Sequence, residues 1–272
     1  MDIKQHYKWS ELNNSKSGII KTILANWEEL LDKNLHESVY HSFLAEYAGF
    51  FLSDLFANII ISKLKISTSF ETDFVVVHDG FSGGNVYELI EIEKPSSKLF
   101  NSKGIPSADF NTALQQVRDW KNTLLVKRKR LPTFLPTLSQ YGIHPNNFKF
   151  TIIIGRRDSL TEKDLERRAD IEYETGIKIK TFDRLTDELK RRRFFNDFEP
   201  HDNVHYCSHI DYNHILNPFN RAFSDSDWKK ICAENKISRS DIYTRDSSIL
   251  CKYAKQAEIF KEFSDTNRHF IL

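Results

Sequence analysis

Residues 71–95 read ETDFVVVHDGFSGGNVYELIEIEKP, and the rest of the chain is organised around this stretch. Two runs rich in β-branched and aromatic residues flank a glycine-rich segment, the pattern of a β-hairpin whose strands carry acids among apolar residues. Residues two apart on a strand share a face, so Glu91 and Glu93 point one way while Ile90, Ile92 and Lys94 point the other. If Asp73 lies opposite the two glutamates, three carboxylates meet, and their repulsion is costly unless a cation neutralises it. Hard oxygen ligands of this kind suit Mg²⁺ or Mn²⁺. The alternative at this point is a half-exposed strand whose carboxylates are simply solvated.

With 272 residues, 40% hydrophobic and 28% charged, the chain is long enough to bury a sizeable core and is not of disordered composition. The net charge of +1 conceals segregation. Lys127, Arg128, Lys129 and Arg130 form one basic run, Arg156 and Arg157 a second, and further clusters stand at 167–168 and 190–193. Such clusters are the footprint of a phosphate-backbone binder, or equally of helix ends whose cations complement the dipole. Three cysteines without paired spacing argue against a disulfide scaffold and for a reducing cytoplasm. No run approaches a membrane span and the N-terminus lacks a signal-peptide core.

Around the hairpin, apolar residues at three- and four-residue intervals predict a helix from Ser17 to about Asn34 and a second from about His36. In the second, Val39, Tyr40, Phe43, Leu44, Tyr47, Phe50 and Phe51 would form the buried stripe, and Glu37 would occupy the first turn, where the dipole favours a carboxylate. Isoleucine-rich residues 58–66 predict a strand leading into that of Asp73. Pro95 ends the Glu91 strand, and a polar loop leads to a helix from about Asp109 that carries Gln116 and, one turn later, Trp120. Residues 148–155 predict a buried strand, 161–173 a helix with Leu165 and Ala169 inward, 177–181 an edge strand, and Phe182 onward a helix. Beyond Asn196, His201, His205, Cys207, His209 and His214 lie close in sequence but lack the paired short spacings of a structural zinc site and read as an exposed loop. Short helices follow from Ser224, with Trp228 packing back on the core or on another subunit.

The acid before one strand and the acid pair on the next resemble the PD-(D/E)xK nuclease superfamily, with Asp73 as the first acid and Glu91 as the second. Glu93 stands where that pattern has Lys, and Lys94 falls one place late. The ordered set Glu37-x3-His41, Asp73, Glu91 to Pro95, Gln116-x3-Trp120, Ile152 to Arg157 and Thr181 to Leu185 is similar to the nuclease domain of the Shedu anti-phage proteins over roughly residues 35–194.

That resemblance implies an α/β fold with a restriction-endonuclease-like core, a mixed central sheet flanked by helices and a small, mostly helical C-terminal extension. It divides the chain into a helical lead-in (1–34), a nuclease-like domain (35–195) and the extension (196–272). It implies a metal-dependent DNA endonuclease of bacterial defence that forms homo-oligomers in the cytoplasm. Asp73, Glu91, Glu93 and Glu37 would hold Mg²⁺ or Mn²⁺, and Asp73, Glu91, Glu93, Lys94 and Gln116 would carry the chemistry. Lys127 to Arg130, Arg156 and Arg157 would hold DNA. The displaced lysine keeps a second reading in view, a catalytically silent DNA-binding or assembly module, and a third is a repair or restriction nuclease.

Overall fold

The computed structural model describes residues 18–53, 57–78, 80, 83–126, 135, 143–192 and 220–235. The hairpin forms as its alternation dictates: β2 (Phe74–His78) and β3 (Val86–Ile92) pair antiparallel, with Phe74 opposite Ile90 and His78 opposite Val86. They are the centre of a mixed six-stranded sheet in the order β5-β4-β3-β2-β1-β6. Here β1 is Ala57–Ser62, β4 Phe148–Ile153, β5 Ile177–Lys180 and β6 Phe223–Ser224. β1 is antiparallel to β2, β4 is parallel to β3 and β5, and β6 is parallel to β1.

Strand periodicity sorts the core into two halves. Val75, Val77, Tyr87 and Leu89 face a first core capped by α4 (Ala108–Val126), through Phe110, Val117 and Trp120. Phe74, Val76, Ile90 and Ile92 face a second. Covering that second face are α1 (Gly18–Leu31), α2 (Glu37–Glu46), the single turn α3 (Ala48–Phe51) and α6 (Phe182–Arg191). Trp27 is its centre: fully buried, it stacks on Phe43 at 5.3 Å, and its indole N–H donates to the Thr186 hydroxyl at 3.0 Å. Because both faces are covered, β2 is apolar on both sides.

Two helices differ from expectation. α2 stops at Glu46, and its buried positions are Tyr40, His41 and Leu44, while Val39 is exposed. Its rotation is set by Tyr40, whose ring meets Phe182 edge-on at 5.8 Å, and by His41, whose ring stacks on Phe74 at 4.6 Å. α5 (Glu162–Thr175) buries no residue, so Leu165 and Ala169 are exposed. It is held by a capping box between Thr161 and Asp164 and by a left-handed Gly176 at its end. In the C-terminal part, Phe223 and Ser224 add a parallel edge strand against Ile61 and Ser62. α7 (Asp225–Asn235) then places Trp228 and Ile231 in the first core, so this tryptophan packs on its own chain.

The end of β4 is locked to the exit of β3 through Gly155, whose φ is +70°. Its N–H donates to the Lys94 carbonyl at 3.1 Å, and its own carbonyl accepts from the Phe182 N–H at 3.1 Å. A Cβ here would lie 2.6 Å from the Ser97 carbonyl oxygen. Gly155→Ala is therefore expected to cost about 2 kcal/mol or more, measured by urea unfolding, because backbone strain and collision add.

Candidate functional site

Continuing the β2/β3 register one step past Phe74 and Ile90 places Asp73 opposite Glu91, on the α4 side of the hairpin's end. Both are buried, at 3% and 7% exposure. Asp73 Oδ2 accepts the Ile92 N–H at 2.7 Å, and Oδ1 is ion-paired with the Lys63 ammonium. Glu91 Oε2 is buried with no hydrogen-bond partner. Burial, with Asp73, Glu37 and Glu93 nearby, raises the Glu91 carboxyl to about 10, against a small opposing effect of Lys63. The same strand supplies its own contrast in Glu88, which pairs with His78 at 3.4 Å and accepts the Thr151 hydroxyl at 2.6 Å. Burial opposes its charge, yet His78, Lys180 and Thr151 together bring it down to about 2. Glu88 is thus a satisfied structural acid and Glu91 an unsatisfied one, the condition found where chemistry is done.

The other acids expected from the sequence gather here. Glu37, half-buried in the first turn of α2, is raised by burial and by Asp73. Glu93, whose N–H continues the ladder to the Ile153 carbonyl at 2.9 Å, is raised to about 7 by burial, Glu37, Asp109 and Asp73. β3 ends at Ile92, two residues before Lys94, and the Lys94 carbonyl accepts the Gly155 N–H at 3.1 Å. The Lys94 ammonium favours the ionised forms of both Glu37 and Glu93. Gln116 is half-buried on α4, and among the described residues no hydrogen bond ties it to the acids. Trp120, one turn on, is fully buried with its indole N–H unpartnered.

Three contributors were not expected. Lys63 follows β1 directly, and its contact with Asp73 depends on a register that residue spacing alone does not carry. Asp109 is brought back by the loop after Pro95, where the Ser97 hydroxyl donates to its Oδ2 at 2.6 Å. His41 was visible in the Glu37-x3-His41 spacing but without a role. Its Nε2 lies 3.3 Å from both the Asp73 carbonyl and the Ser62 hydroxyl. A carbonyl only accepts, so Nε2 carries the hydrogen, and burial in turn lowers the pKa of the ring. His41 therefore holds the Asp73 backbone as a neutral donor.

The basic residues are less free than their sequence runs imply. Arg156 bonds Asp183 at 2.8 Å and the Leu31 carbonyl at 3.1 Å, with Asp32 at 3.5 Å, joining α1 to α6. Arg157 is ion-paired with Asp187. Lys127, Arg128, Lys129 and Arg130 lie outside the described residues, as do His201, His205, Cys207, His209 and His214.

These elements define an α/β protein with a mixed six-stranded sheet flanked by helices and a buried acidic cluster at the end of its central hairpin. Residues 34–186 match the family described as "Shedu protein SduA, C-terminal", more than half of the chain, and the chain belongs to the Shedu family. That membership suggests a role in anti-phage defence. No curated protein matches the chain. No described helix is long and apolar enough to cross a membrane.

Proposed function

We propose that the chain is a metal-dependent DNA nuclease of the PD-(D/E)xK type, serving in anti-phage defence. The observation that carries this reading is Glu91: a buried carboxylate with one oxygen unpartnered, facing Asp73 and crowded by Glu37 and Glu93. Hard oxygen donors suit Mg²⁺ or Mn²⁺, and a carboxylate left without a partner in the protein fits a cation site. Among the described residues, however, no three His, Cys, Asp or Glu side chains are drawn into a ready cage. The two oxygens of Asp73 are taken by Lys63 and Ile92.

In this reading Asp73 and Glu91 hold the ion, with Glu93 and Glu37 beside them. When bound, it supplies Lewis acidity to the scissile phosphate and makes water acidic enough to lose its proton near neutral pH, from about 15.7 in bulk. The chain's own residues do the rest. Glu93, raised to about 7, takes the proton of the attacking water on its carboxylate. Lys94 offsets charge growing on the phosphate, and Gln116 orients water from α4. Lys127 to Arg130, and Arg156 and Arg157 if their carboxylate partners release them, hold the DNA backbone without reading bases. A homo-oligomer is the proposed assembly.

The test is incubation of the purified chain with supercoiled and linear DNA, with Mg²⁺, with Mn²⁺ or with chelator. Cleavage that requires the ion and disappears in Asp73→Ala is the expected result. Full cleavage by Asp73→Ala would overturn the site. A second reading, a silent DNA-binding module, is favoured by the occupied oxygens of Asp73 and by Glu93 in the lysine position. It predicts no Mn²⁺ binding that depends on Asp73.

A further inference from the structure

We propose that Lys63 is a resident counter-ion that competes with a divalent cation for Asp73, so that the site opens only when the metal displaces its ammonium. This rests on the nuclease reading above. It begins from the backbone. Lys63 has φ +54°, alone among the described non-glycine residues in the left-handed region. That conformation is disfavoured for a residue with a Cβ, and such outliers persist where surrounding structure enforces them. Two bonds to one residue enforce it here. The Lys63 N–H donates to the Asp73 carbonyl at 2.9 Å, and its ammonium pairs with the Asp73 carboxylate. The turned backbone thus aims the side chain at the acid opposite Glu91.

The pairing is also asymmetric. The Lys63 side chain is 45% exposed, whereas that of Asp73 is 4% exposed. The lysine can retreat into water with little loss of solvation, while the aspartate cannot follow. Asp73 Oδ2 is held by the Ile92 N–H, so Oδ1, the oxygen Lys63 occupies, is the one a cation would take by displacing a side chain. Without Lys63, the buried Asp73 carboxylate would keep only the Ile92 N–H against its charge, and an arriving cation would meet no ammonium competitor.

The experiment is a calorimetric titration of the full chain with MnCl₂, after chelator treatment, at pH 7 and fixed ionic strength. Parent, Lys63→Met, Lys63→Gly, Lys63→Arg and Asp73→Ala are compared, with circular dichroism to check folding. Glycine relieves the positive φ and guards against a methionine variant that fails to fold. Both neutral variants are expected to bind Mn²⁺ about tenfold or more tightly than the parent, the scale of one charge-assisted hydrogen bond. Lys63→Arg should stay close to the parent, and in cleavage assays the Mn²⁺ activation curve of the neutral variants should move to lower concentration. A merely structural lysine would leave affinity unchanged or weaken it. If the parent binds Mn²⁺ through Asp73 and the neutral variants bind no tighter, the counter-ion role is wrong and the nuclease reading stands. Absence of Asp73-dependent binding in the parent and in every Lys63 variant overturns both.

Discussion

Glu91→Gln is expected to abolish the proposed DNA cleavage while leaving the metal-free fold at pH 7 at least as stable as the parent. The two halves of this result have one cause. With its carboxyl raised to about 10, Glu91 is protonated at pH 7 when no metal is bound, and glutamine has nearly the shape of that protonated form. The fold therefore loses little. The variant cannot become a carboxylate, however, and one hard anionic ligand is lost. Metal stabilisation of transition-state charge is worth several kcal/mol, so cleavage should drop by roughly a thousandfold or more. Plasmid nicking assays and thermal melts on the same preparation measure both halves. Cleavage by the glutamine variant at the parent's rate would remove Glu91 from the site.

Raising the pH from 5 to 9 in chelator is expected to destabilise the parent more steeply than Glu91→Gln. Glu91 and Glu93 are raised from an ordinary value of 4.5 to about 10 and about 7. The folded chain therefore binds more protons than the unfolded chain above 4.5, and stability falls as pH rises: up to about 7 for Glu93 and up to about 10 for Glu91. Each such group can change the folding constant by up to about tenfold per pH unit within its window. Urea midpoints at each pH give the slope, and the difference between parent and variant reports Glu91 together with the neighbouring acids it interacts with. Mn²⁺ should flatten the parent's curve, because a cation takes the place of the proton. Parallel curves for parent and variant in chelator would mean that Glu91 is not held in a charge-excluding environment.

The hairpin and its acids were legible because strand periodicity is a local property. Alternation placed Ile90 and Ile92 on one face and Glu91 on the other, and the turn glycines marked the reversal. Glu37 was legible as a first-turn acid. What lay beyond reach depends on contacts between distant segments. Lys63 meets Asp73 because Ser62 pairs with Phe74 and the next residue turns left-handed, neither of which spacing encodes. Asp109 arrives at Glu93 through the fold of a loop. Leu165 and Ala169 were assigned a buried face on a helix whose charged residues leave it on the surface.

The last strand has a consequence for how the protein comes into being. Ser62, the neighbour of Lys63, is flanked on its outer side by Ser224, and the adjoining contact from the Lys65 N–H to Asp225 joins residues 160 apart in sequence. During synthesis β6 can cover the outer edge of β1 only after residues 223–224 have been made, and until then that edge is open to strand-on-strand association. The outer edge of the strand beside Lys63 is thus covered by a segment synthesised well after the hairpin that carries the acids.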